Sequence, residues 1–157
     1  VTSGLRGLRV LKTTQSSFTD FTTDEFRTLP DSQDRIFSTV ITSNWTYSKT
    51  DGVEFDKEWE GVRNCILEEF AGNPDSGVMS QSVQHTLYLA QTRILQSHPN
   101  IDRVEMDMPN KHYWDVDMSK FPAGMVGREV NKTVFTPVDK PSGLIHAVLH
   151  RQPHSKL

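Results

Sequence analysis

Apolar and polar residues alternate from Asp34 to Ser48, so that Arg35, Phe37, Thr39, Ile41, Ser43, Trp45 and Tyr47 fall on one side of an extended chain. The density of β-branched and aromatic residues agrees, and the pattern predicts a strand that Thr50-Asp51-Gly52 ends. Upstream, Leu5, Leu8, Val10 and Leu11 mark a first strand that gives way to the polar run Lys12 to Ser17. Phe18 to Asp31 connects the two strands and closes with the turn-forming Leu29-Pro30-Asp31.

The period then lengthens. Phe55, Trp59, Val62, Ile66 and Phe70 recur at steps of four, three, four and four, one stripe of a helix that Ala71-Gly72-Asn73-Pro74 stops. Val83, Leu87, Ala90 and Ile94 predict a second helix, with Ser80 or Ser82 to cap its start and His98-Pro99-Asn100 to end it. Both stripes read as core against a sheet.

Alternation returns at Val104, Met106 and Met108. Pro109 interrupts the run and Asn110 to Met118 continues it, with Asn110, His112, Trp114, Val116 and Met118 on one side and Lys111, Tyr113, Asp115 and Asp117 on the other. The pattern predicts an apolar face with an amide and an imidazole at its entry, which serves either a sheet rim or the edge of a reaction pocket. Lys132 to Val138 is a possible short strand, Asp139-Lys140-Pro141-Ser142-Gly143 a turn, and Leu144 to Arg151 the last strand. Adjacent strands with short connections favour antiparallel pairing, and two consecutive amphipathic helices cover one sheet face: an α+β layer. Glu105, Asp107, Asp115 and Asp117 are expected on its other face, toward water or a tunnel between subunits.

Composition narrows the classes. The 157 residues suit one domain. With 17 basic and 20 acidic residues mixed along the chain and a net charge of -3, no basic patch favours nucleic acid. No apolar run approaches the roughly 20 residues that span a bilayer, and the one cysteine, Cys65, has no internal disulfide partner; a soluble protein of a reducing compartment is expected. The start at Val1, without methionine or leader, suggests a missing upstream segment. At the other end Ser155-Lys156-Leu157 matches the tripeptide read by the peroxisomal import receptor.

Several site types are missing from the pattern: a glycine-rich phosphate loop, a serine elbow and zinc-ligand spacing. His146, His150 and His154 recur every four residues, a metal pattern only on a helix, and the segment reads as strand and tail. Asn44-Trp45-Thr46 and Asn131-Lys132-Thr133 match the glycosylation acceptor by chance in a chain read as non-secretory.

Four separated motifs in order carry a resemblance: Val10-Leu11-Lys12-Thr13-Thr14-Gln15-Ser16-Ser17-Phe18, Asp34-Arg35-Ile36, Ser82-Val83-Gln84 and Pro109-Asn110-Lys111-His112-Tyr113. Together they resemble the C-terminal half of the urate oxidase (uricase) family, over essentially the whole chain. The resemblance implies one tunnelling-fold (T-fold) unit over residues 1–157, an antiparallel sheet with two helices on one face, with the family's N-terminal half absent. It implies cofactor-free oxidation of urate by dioxygen and water to 5-hydroxyisourate and hydrogen peroxide, by a homotetramer in the peroxisome. Phe18 would stack on the purine, Arg35 and Gln84 would hold its edges with the backbone N–H of Val83, Asn110 would hold dioxygen or water, and His112 would serve a proton relay. The threonine and lysine completing that relay belong to the family's N-terminal half. Thr19-Asp20 departs from the bulkier or glycine-containing pair that commonly follows the stacking phenylalanine. The alternative is a tunnelling-fold fragment that binds a purine or assembles without turnover; a pterin enzyme of the same fold would call for a carboxylate anchor and often zinc.

Overall fold

The computed structural model describes residues 1–122 and 133–152, in the order β1 (Thr2–Lys12), β2 (Phe37–Tyr47), α1 (Phe55–Ala71), α2 (Val83–Ser97), β3 (Ile101–Pro109), β4 (His112–Asp115), β5 (Phe135–Val138) and β6 (Leu144–His150). An antiparallel sheet of order β1-β2-β3-β6 carries the two helices, and β4 and β5 form a separate two-stranded sheet. Lys132, Asn131, His154 and Ser155-Lys156-Leu157 lie outside the described residues.

The alternation of β2 is realised. Phe37, Thr39, Ile41, Ser43, Trp45 and Tyr47 are buried beneath the helices, while Val40, Thr42, Asn44 and Thr46 are half-buried on the opposite face. Arg35, expected on the same strand, stands two residues before it. In β1 the step of three from Leu5 to Leu8 breaks a strict alternation. A bulge absorbs it: Leu5 faces Ser43 and Leu8 faces Ile41, with Gly7 at φ 73, a conformation other side chains resist.

Val62, Cys65, Ile66 and Phe70 of α1 meet Val83, Leu87, Ala90, Ile94 and Leu95 of α2 and the inward residues of the sheet in one core. Its largest fully covered side chains, Trp45, Phe37, Ile41 and Met106 among them, each contribute about 1.5–3 kcal/mol by burial. The first turns of α1 depart from the expected stripe. Phe55 and Trp59 are 40% and 38% exposed, because this end of the helix overhangs β1, where the Trp59 indole donates to the Gly4 carbonyl at 3.1 Å. Buried Gln91 ties α2 to the sheet by donating to the carbonyls of Val104 and Ala147, at 3.0 and 2.8 Å.

His98, the residue that ends α2, clips the helices together. Its Nδ1 lies 2.5 Å from Glu58 Oε2 and its Nε2 3.8 Å from Cys65 Sγ, and a Cβ on Gly61 would meet the ring at 2.4 Å. The contact with Cys65, followed by the Glu58 carboxylate, raises the His98 pKa above its ordinary 6.5 against the opposing effect of burial. A group whose folded pKa is raised stabilises the protein fully below its unfolded pKa and loses that contribution as pH rises through the folded value. The melting temperature of the native protein should therefore exceed that of His98→Gln by a margin that shrinks as pH climbs above about 6.5. A margin independent of pH would show that His98 acts by packing alone.

Two expectations are corrected. Asn110 to Met118 is not one strand with an apolar inner face: β4 covers only His112–Asp115, pairs with β5, and leaves Trp114 57% exposed. Pro109 ends the run in the main sheet, so the downstream alternation is spent on a separate two-stranded sheet. For the same reason Asp115 and Asp117 do not share the outer sheet face with Glu105 and Asp107. That face does carry charge, with Arg103 paired to Glu105 at 2.7 Å and His146 to Asp107 at 2.7 Å. His146 and His150 sit on strand β6, as the sequence implies, and among the described residues no cluster of His, Cys, Asp or Glu is arranged for a metal. Trp45 of the first glycosylation match is wholly buried in β2.

Candidate functional site

β1 and β3 end, β2 and β6 begin, and α2 starts at one end of the layer. Three segments are laced together there by backbone hydrogen bonds. Ser17 donates to the Ser80 carbonyl and Ser80 to the Gln15 carbonyl, both at 2.9 Å, joining the run after β1 to the approach to α2. Arg35 N–H donates to Ser16 at 2.8 Å, and Phe18 and Ser32 exchange two bonds at 2.7 and 3.0 Å. Lys12 Nζ reaches the Val78 carbonyl at 2.8 Å, and burial lowers its pKa to about 8 although Asp34 draws it back up. These bonds hold Phe18 and Arg35 beside the start of α2.

Arg35 is the chemically informative residue. Its guanidinium carbon lies 5.3 Å over the Phe18 ring, its Nε is buried without a hydrogen-bond partner, and among the described residues no carboxylate pairs with it. Desolvation lowers its pKa. A partly buried cation with a desolvated, unbonded donor is costly unless an acceptor arrives, so this corner is suited to receive an anion or a carbonyl-rich edge. Ser16 Oγ, Ser80 Oγ and His85 Nδ1, from the same laced segments and the first turn of α2, are also buried without partners.

Helix α2 adds to that field. Ser82 is its N-cap and accepts from His85 N–H at 3.0 Å, while Val83 and Gln84 occupy the first two helical positions, where an N–H has no carbonyl within the helix to bond. Such groups, with the helix dipole, favour negative charge. Val83 is buried and Gln84 exposed. Replacing Ser82 with Ala should cost about 1 kcal/mol and lower the melting midpoint by roughly 2–4 °C. A thermal melt checks this; an unchanged midpoint would mean that solvent replaces the cap at no cost.

Asn110 and His112 reach the same end by another route. Asn110 N–H donates to Gly143 at 2.8 Å, Lys111 N–H to Ser38 at 3.0 Å, and His112 pairs with Val138 in the small sheet. Half-buried His112 lines a cleft of about 420 Å³ with Arg9, Ser38, Val40 and Lys111, on the sheet face away from the helices. Phe18 and Arg35 are thus in contact, and the Ser17–Ser80 bond ties their segment to the approach to α2, where Val83 and Gln84 stand, while Asn110 and His112 join the layer through Ser38, three residues beyond Arg35. Among the described residues no hydrogen bond or ring contact joins the two groups. Sequence reasoning named Lys12, Gln15, Ser16 and Ser17 only as a polar run within a motif and Ser80 only as a candidate cap, and gave none of them this supporting role.

The sequence profile described as Uricase matches residues 1–146. The chain belongs to the uricase family. It is 53% identical to the uricase of Drosophila pseudoobscura pseudoobscura over 152 residues, which is 97% of this chain and 43% of that protein. To the uricase of Oryctolagus cuniculus it is 43% identical over 155 residues, 99% of this chain and 50% of that protein. The crystal structure of uricase from Arthrobacter globiformis superposes with a TM-score of 0.83 at 36% identity, over 96% of this chain and 49% of that one. The tunnelling fold is therefore the fold of this uricase-family chain, and the chain spans about half the length of the curated relatives it matches.

Proposed function

We propose that this chain supplies the purine-holding part of a urate oxidase. The observation that carries the reading is Arg35: a partly buried guanidinium over an aromatic ring, with no carboxylate partner among the described residues, in a segment tied to the approach to α2. Urate is a planar anion edged with carbonyls and N–H groups. Phe18 would stack on its face, Arg35 would offer two parallel donors, Gln84 would offer one donor and one acceptor, and the Val83 N–H would complete the edge. Asn110 would hold dioxygen or water against the ring, and His112 would move protons.

In the balanced reaction, urate anion, dioxygen and water give the 5-hydroxyisourate anion and hydrogen peroxide. Urate is oxidised by two electrons and dioxygen is reduced by two. The electron-rich urate anion can itself supply those electrons, so the reading calls for no metal or flavin. The protein's task is positioning and proton transfer. The relay threonine and lysine implied by the family resemblance would come from another segment, within a homotetramer of full-length subunits. The tripeptide Ser155-Lys156-Leu157 supports delivery to the peroxisome, a fitting site for a peroxide-forming reaction.

The test is aerobic incubation of the full-length protein with urate, following loss of urate absorbance and formation of peroxide in equal amounts. Purine binding without peroxide would favour the non-catalytic reading. Neither binding nor turnover would remove both.

A further inference from the structure

We propose that Phe21, held by Arg27, is a positioning residue that sets the plane of the Phe18 ring for the substrate; this rests on the urate-oxidising reading above. The Phe21 ring stacks on Phe18 with centroids 4.5 Å apart and planes inclined by 21°, and the Arg27 guanidinium lies 4.7 Å over the Phe21 ring. Arg27 is itself fixed: its Nε donates to the Leu29 carbonyl at 2.9 Å, Nη1 to Thr23 Oγ1 at 3.1 Å and Nη2 to Asp31 Oδ1 at 2.7 Å. From Asp20 to Asp31 only Phe21 and Arg27 are withdrawn from full exposure, while Phe26 and Leu29 project into solvent. The connection is thus organised around one column, Arg27 on Phe21 on Phe18, with its two ends joined by the paired bonds of Phe18 and Ser32.

Phe21 covers one face of the Phe18 ring with centroids 4.5 Å apart, and the Arg35 guanidinium stands 5.3 Å from the centre of the same ring. In the proposed arrangement the planar anion stacks on the face that Phe21 does not cover, with Arg35 at its edge. Offset stacking has a preferred orientation, so the inner pair fixes the tilt of Phe18 before substrate arrives, and the Arg27 cation holds the outer ring. Without the brace, Phe18 must be ordered by the substrate itself, which weakens binding while leaving the groups that carry out the reaction in place.

The experiment compares Phe21→Leu, Phe21→Tyr and Arg27→Met with the native full-length protein in urate turnover, in anaerobic urate binding and in thermal melts. Phe21→Leu should raise KM and the anaerobic Kd roughly five- to tenfold with kcat within about twofold. Phe21→Tyr, which keeps the stack, should restore native values, and Arg27→Met should raise KM about two- to threefold. Unchanged KM in Phe21→Leu overturns the proposal, and so does tighter binding, which would make Phe21 an obstruction. A fall in kcat alone also overturns it. Should Phe21→Leu fail to fold, the exposed-loop variant Arg27→Met decides: a raised KM supports the brace and a native KM overturns it. A native protein that neither binds nor consumes urate removes the urate reading and the brace with it, whereas an active native protein with an indifferent Phe21→Leu removes the brace alone.

Discussion

Replacing Arg35 with Gln should raise the KM for urate by roughly 30- to 1000-fold, as expected for losing a charge-assisted contact in a partly desolvated site, about 2–4 kcal/mol. Arg35→Lys should recover only part of the loss, because an ammonium is a point charge and cannot reproduce two parallel donors. The structure adds a second, independent readout. No carboxylate among the described residues balances this guanidinium, its Nε is buried and unbonded, and its pKa is lowered by desolvation. A cation placed for the fold would destabilise the protein when neutralised. One placed for a ligand is a liability in the empty site, and its removal should leave the melting temperature unchanged or raise it. Steady-state kinetics and thermal melts of the full-length variant therefore separate the two roles. A KM within twofold of the native value, with a lowered melting temperature, would make Arg35 a structural residue.

His112→Ala should act on the other kinetic constant. A positioned acid–base group contributes on the order of 10²–10⁴-fold, so kcat should fall by at least about 100-fold while KM stays within about threefold. The placement of His112 supports this division. It lies in the cleft beside Ser38 and Lys111, apart from the group formed by Phe18, Arg35 and the start of α2. A group outside the holding set can be lost without loosening the substrate. The opposite pattern, a raised KM with native kcat, would make His112 a substrate contact and leave the proton transfers to residues elsewhere.

Most of the layer was legible because its elements are local. The alternation from Phe37 to Tyr47 and the stripes of α1 and α2 follow from where successive side chains project. Failures came where a local pattern was compatible with more than one neighbour. Asn110 to Met118 alternates, but alternation does not say which strand will pair with it; here β5 does, leaving Trp114 exposed. The stripe through Phe55 and Trp59 is helical as read, yet both stay more than a third exposed although Phe55 meets Tyr47 and Trp59 bonds to Gly4. The candidate site residues came only from the resemblance to a family, since spacing alone favoured a sheet rim for Asn110 and His112, and left Phe18 without a partner.

The sequence by itself determined the elements, their order and the motifs that mark a uricase-family chain, because periodicity, turn residues and caps act over a few residues. Only the tertiary structure decided that Ser17 meets Ser80, that Lys111 meets Ser38, and that Arg35 lies over Phe18 with no carboxylate paired to it among the described residues. Those encounters join residues far apart in the chain, and they follow from the pairing of strands and the docking of helices across the core. The Arg35 charge, unpaired among the described residues, is a property of that convergence.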